Sequence, residues 1–217
     1  MSLGQMTIPV SLFVLVTAVA VVRLVEVTTA RRNARWAIDR GGVEYGQSHY
    51  PVMITLHVCL LVGTVVEVAL TGRAFVPWIG WPALAVLLLV QAGRAWCMRA
   101  LGPRWNTRVI VVPGLPLITT GPYRWMRHPN YLIVLFEGIA LPLVHTAWMT
   151  GVLFTIANTP WLVVRVRTEN AALWPCGPQL APKAMAQTRG LDLPGRIPKP
   201  ARRLRRSRAD GPSRPCV

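Results

Sequence analysis

Acidic side chains are scarce in this sequence. Eight Asp and Glu stand against 24 Lys and Arg, and only 15% of the 217 residues are charged. With 53% of residues hydrophobic and a mean hydropathy of +0.40, that shortage excludes an ordinary soluble domain of this length. Charge is missing from whole blocks: 1–22, 74–93 and 146–164 contain no Asp, Glu, Lys or Arg. Each block is close to the roughly 20 residues that an α-helix needs to cross ~30 Å of hydrocarbon. The chain therefore reads as an integral membrane protein.

Cysteine is also sparse. Cys59, Cys97, Cys176 and Cys216 lack paired metal-ligand spacing, which argues against a disulfide framework or a zinc site, and no metal is expected. Cys59 and Cys97 fall inside apolar spans, where a thiol serves as a small filler. The first block lacks the basic leader and small-x-small cleavage site of a signal peptide and reads as a retained helix. A net charge of +16 comes without a recognition helix or an aromatic platform, so nucleic acid is not the expected partner.

What is present is a series of apolar segments at about 8–27, 51–70, 76–98, 131–145 and 149–166. They predict an all-α integral membrane protein with about five transmembrane helices. The linker after the first span carries Arg31, Arg32, Arg35 and Arg40 and predicts a short interfacial helix ended by Gly41 and Gly42. A β-branched run at 109–112, bounded by prolines, predicts a small hairpin or an extended cytoplasmic cap. From about 176 the chain is rich in Pro, Gly and Arg without periodicity. Residues 1–175 thus form the expected transmembrane domain, and 176–217 a basic, disordered tail suited to anionic membrane lipids. Arginine crowds the loops after the first and third spans and the tail, which places the N-terminus outside and the C-terminus in the cytoplasm.

Several polar groups fall inside the spans. Arg23 and Glu26 are one turn apart, His57 and Glu67 share a helical face, Gln91 and Arg94 lie near the end of the third span, and Glu137 lies in the fourth. Exposure to lipid is costly for such groups, so His57 and Glu67 look into the bundle, for packing or for chemistry. Arg94 either snorkels or points into the polar cavity of the central loop.

The stretch around which the rest is arranged is 120–131, TGPYRWMRHPNY. Gly121, Pro122 and Pro129 are turn formers, and Arg124, Arg127 and His128 bind an anion or stack on a flat ring. An arginine-rich loop also meets lipid phosphates without any site, so the residue order has to carry the stronger reading. Two further groups lie at the same membrane face. One is the exit of the last span, with Arg165 and Glu169 four apart and Asn170 adjacent. The other is the linker after the first span, with Glu44, His49 and Tyr50.

GPYRWMRHPNY followed by RVRTENAAL resembles the signature of the isoprenylcysteine carboxyl methyltransferase family and its phospholipid-methyltransferase relatives. By that resemblance S-adenosyl-L-methionine is the cofactor. Gly121, Tyr123, Arg127, His128, Pro129, Tyr131 and Asn170 form its site, and Arg165 and Glu169 lie where cofactor meets acceptor. The stretch 30–57 is similar to a bacterial branch that O-methylates alkylpyrones and alkylresorcinols beside type III polyketide synthases, which implies the bacterial plasma membrane and such a synthase as a pathway partner. His49, Tyr50 and His57 are that branch's marks and, with Glu67, the acceptor-side candidates. The sequence departs from the wider family in having Asn170 where a second Glu is usual, and no tyrosine follows Tyr131.

A methyl acceptor oxygen must lose its proton and stay dry. Glu169 or His128 is placed to take that proton, and Arg127 and Arg165 to hold anions, since guanidinium stays protonated. The expected function is methylation of a membrane-soluble alkylpyrone or alkylresorcinol. The alternatives are a prenylcysteine carboxyl or phospholipid N-methyltransferase, an NADPH-dependent membrane reductase, and a non-enzymatic carrier in which His57, Glu67 and Glu137 form a polar path.

Overall fold

Helix is what a bilayer permits for most chains, because backbone N–H and C=O groups in hydrocarbon must pair within their own segment. The structure, a computed structural model, describes residues 9–173. The tail read at 176–217 lies outside the described residues. Within them run α1 (Val10–Ile38), α2 (His49–Thr71), α3 (Pro77–Leu101), α4 (Pro129–Leu143) and α5 (Trp148–Leu173).

Four of these, α1, α2, α3 and α5, are long and apolar enough to cross a membrane. The fourth in chain order falls short: the 15 residues of α4 reach about 22 Å at ~1.5 Å per residue. The expected five spans are therefore four full-length helices and one short one. Pro129 starts α4 at a position whose N–H has no helical partner to lose. The interfacial helix expected after the first span is part of α1, which runs unbroken for 29 residues through Arg35 before the chain turns at Gly41 with φ +76°.

The β-branched run forms no local hairpin. Its strand β2 (Val109–Val111) pairs antiparallel with β1 (Val43–Tyr45) from the linker after α1, Val43 opposite Val111 and Tyr45 opposite Val109. Val109 and Val111 pack on Ala172 of α5, so this ribbon caps the arginine-rich end of the bundle.

Val19, Leu60, Leu87, Leu141 and Phe154 bring all five helices into one apolar cluster. Small residues let membrane helices approach closely. A Cβ on Gly138 would stand 2.2 Å from the Phe154 ring, so glycine is what lets α4 lie against α5 there.

Inside the bundle Arg23, Glu26, Arg94 and Glu137 form a closed set of ion pairs. Arg23 bonds both carboxylates, Arg94 Nη2 lies 2.5 Å from Glu137 and its Nε 3.6 Å from Glu26. Gln91 donates to Glu137 at 3.0 Å. Arg94 thus neither snorkels nor reaches the central loop. Glu67 is at the opposite end of the bundle from that loop. Its carboxylate accepts from the backbone N–H groups of Met149 and Thr150 and from the Thr150 hydroxyl at 2.7–3.2 Å, and it pairs with Arg73 at 3.0 Å. It satisfies free donors of the first turn of α5.

Candidate active site

The turn at Gly121–Arg124 begins the site. Gly121 has φ +60°, and a Cβ there would lie 2.9 Å from Ala100 and 3.3 Å from the Trp96 indole nitrogen, so the turn rests directly on the end of α3. Tyr123 follows and hydrogen-bonds Cys97. Burial, then the adjacent Cys97, push its phenol above the ordinary range, and it remains a donor. Pro129 then sets α4, with His128 just before it and Tyr131 in its first turn.

Across from them stands the end of α5. The Tyr131 hydroxyl donates to Glu169 and accepts from Arg165 Nε at 3.2 Å. His128 Nε2–H donates to the Asn170 Oδ1 at 3.0 Å, which turns Nδ1 toward Glu169, 3.8 Å away. Arg165 is anchored by the Thr107 carbonyl and meets the Met53 sulfur at 3.2 Å. Among the described residues no carboxylate oxygen comes within 4.0 Å of Arg165. A half-buried guanidinium held only by neutral acceptors is prepared for an anion.

These side chains line a cavity with an empty volume of about 620 Å³, open at its mouth, between the start of α4, the end of α5 and β2. Tyr123, Arg127, His128, Tyr131, Arg165 and Glu169 all face it. Gly121 and Pro129 shape its backbone, and Asn170 acts on it through His128. Of the acceptor-side candidates, His49 and Tyr50 line a smaller cavity that shares Arg165. His57 lies deeper on α2, bonded to the Met53 carbonyl at 2.7 Å and edge-on to Phe154. Glu67 is not brought to the site.

Two cavity residues escaped the sequence reading. Trp105 is 3% exposed, and its indole N–H has no partner among the described residues; the same holds for the Asn130 Oδ1. Asn130 lies inside the HPNY block, the one signal that pointed to it. A buried donor and a buried acceptor left unpaired in one cavity call for a polar ligand. With Arg127 for a carboxylate and these two for a nucleoside, the residues fit S-adenosyl-L-methionine.

Residues 83–175 match the model described as the isoprenylcysteine carboxyl methyltransferase (ICMT) family, a range that runs from mid-α3 through both halves of the cavity. The chain is also 41% identical over 162 residues to the uncharacterized protein YpbQ of Bacillus subtilis (strain 168), an alignment covering 74% of this chain and 95% of that protein. The chain belongs to the ICMT family. No solved structure matches it. It is a membrane-embedded, S-adenosyl-L-methionine-dependent methyltransferase, and the reductase and carrier alternatives fall away.

Proposed function

We infer that this methyltransferase modifies an acidic oxygen of a long-chain acceptor dissolved in the membrane, with the arginine-rich end of the bundle at the cytoplasmic face. The observation that carries the reading is Arg165, half-buried beside the cofactor cavity without a carboxylate partner among the described residues. The bound cofactor supplies a methyl group on a sulfonium. Arg127 at the rim holds the methionyl carboxylate, and Asn130 and Trp105 hold the nucleoside. Arg165 binds the acceptor oxygen and lowers the cost of its negative charge.

Glu169 takes the acceptor proton where one is present. His128 Nδ1, its lone pair turned toward Glu169 because Nε2–H is committed to Asn170, passes that proton to water at the mouth. Each methylene moved from water to an apolar phase contributes about 0.8 kcal/mol, so long-chain acceptors concentrate in the membrane that holds the enzyme.

Two acceptor classes satisfy these terms. The family description favours a carboxylate on an isoprenyl thioether. The Glu169–His128 pair favours a proton-bearing oxygen, the enol of an alkylpyrone or the phenol of an alkylresorcinol, because an ionised carboxylate needs no base. Methyl transfer by purified protein to an S-farnesyl cysteine and to 5-pentadecylresorcinol, measured against pH, tests both. Transfer to a neutral long-chain alcohol but to neither acid would sink the acidic-oxygen reading.

A further inference from the structure

The arginine-rich end of α1 has two faces. Arg31, Arg32 and Arg35 are exposed, while Ala30 and Ala37 are buried on the opposite side. Asn33 is three residues after one alanine and four before the other, so it shares the buried face. Small neighbours let α1 come close enough to the turn after α3 for a short side chain to reach across. The Asn33 Nδ2 donates to the Trp105 carbonyl at 2.7 Å and to the Gly102 carbonyl at 3.3 Å. Both partners are acceptors, so only the NH₂ end of an amide serves them together.

Trp105 is thereby held at both ends of its backbone. Its N–H donates to the Gly102 carbonyl at 3.0 Å, and its own carbonyl accepts from Asn33. The indole lines the cofactor cavity, with an N–H that has no partner among the described residues. A Trp side chain has a single donor and two torsions, so a fixed backbone narrows the directions in which that donor points. The segment that continues from Trp105 is tied down as well: the Thr107 carbonyl accepts from Arg165, and 109–111 pair with 43–45. This wall of the cavity is thus tethered at its start by α1 and at its end by the linker that follows α1.

We propose that Asn33 is a positioning residue for the cofactor: by holding the Trp105 carbonyl it aims the Trp105 indole N–H at the nucleoside. The proposal rests on the reading that Trp105 holds the nucleoside, and it makes α1 a support of the cofactor site as well as a membrane span. Asn33 itself does not line the cavity, so it acts through Trp105 and not by touching cofactor or acceptor.

Asn33→Asp keeps the shape of the side chain and removes both donors. Asn33→Ser, which is uncharged and too short to bridge the two carbonyls, is read in the same way if the aspartate variant fails to fold. Isothermal titration of the detergent-solubilised full chain with S-adenosylhomocysteine measures the cofactor site, at a temperature well below each variant's melting temperature. Loss of Asn33 is expected to weaken that binding, and to raise the KM for S-adenosyl-L-methionine, about fivefold or more, the scale of one neutral hydrogen bond. The acceptor KM stays at its wild-type value. Trp105→Phe, which has no indole donor, is expected to weaken S-adenosylhomocysteine by at least as much. In the Trp105→Phe background, removing Asn33 should change the affinity by less than about twofold, because no N–H is left to aim. A merely structural contact lowers the melting temperature without that non-additivity. Wild-type S-adenosylhomocysteine affinity in the Asn33 variant, with Trp105→Phe weakened, overturns the role of Asn33 and leaves the nucleoside reading standing. An equal loss in both backgrounds also overturns it, since Asn33 would then act by another route. Wild-type affinity in Trp105→Phe overturns the nucleoside reading and the proposal with it.

Discussion

Arg94 of α3 and Glu137 of α4 face each other inside the bundle, 5% and 2% exposed, with Nη2 2.5 Å from Oε2. With Arg23 and Glu26 they make a set of two cations and two anions whose net charge is zero. Glu137→Gln leaves that set with one uncompensated positive charge. Removing one partner of a buried pair costs about 3–5 kcal/mol. Thermal unfolding in detergent should show a loss of that order, and the Arg94→Gln/Glu137→Gln double variant, neutral again, should regain more than half of it. A double variant less stable than Glu137→Gln would show that geometry, not charge balance, holds the helices there.

Tyr131 is the link between Arg165 and Glu169, accepting from one and donating to the other. Tyr131→Phe removes both bonds and little volume. Hydrogen bonds to charged groups contribute about 1.5–3 kcal/mol, so kcat/KM should fall roughly 10- to 150-fold. S-adenosylhomocysteine titration alongside separates a lost cofactor contact from a lost orientation of Glu169.

Glu169→Gln separates the two acceptor classes. For a phenolic or enolic acceptor the loss of a general base should lower kcat by about 10²–10⁴ and move the remaining activity to higher pH, where the acceptor ionises unaided. For a carboxylate acceptor the same variant should change kcat by less than about tenfold, because no proton has to leave. Initial rates with each acceptor from pH 6 to about 10 decide between them.

The two halves of the cavity were legible because they concentrate unusual residue types. Arg127, His128 and Tyr131 stand beside turn formers, and Arg165 and Glu169 share one face of a helical exit. Contacts made across the fold were not. Nothing local to 109–111 says that its partner is 43–45, or that the Trp105 indole N–H finds no partner among the described residues. Periodicity gives a helical face but not a depth. His57 and Glu67 do share a face of α2, yet ten residues separate them by about 15 Å along the axis, enough to send Glu67 to the wrong end of the bundle for a site residue.

That displacement is itself testable. Glu67 serves the first turn of α5 and Arg73, so Glu67→Gln should cost stability and leave chemistry alone. Weakening a charge at a helix N-terminus, with its hydrogen bonds, costs about 1–3 kcal/mol. The melting temperature should drop while the acceptor KM and S-adenosylhomocysteine affinity stay at wild-type values. A raised acceptor KM would return Glu67 to the acceptor side.

Tyr123 gives the chain an alkaline limit. Its phenol is raised above the ordinary value of 10.0 by burial first and by Cys97 next. In the unfolded chain it ionises near that ordinary value, so above about pH 10 the folded state holds a proton that the unfolded state has released. Stability must then fall with rising pH, since it rises only where the unfolded state binds more protons. The contribution is fully present below pH 10 and drains away above it. Melting temperatures measured between pH 8 and about 11 should bend downward beyond 10, and Tyr123→Phe, which keeps the ring but has nothing to ionise, should make that bend shallower. An identical bend in the variant would assign the alkaline loss to other groups and remove Tyr123 as its source.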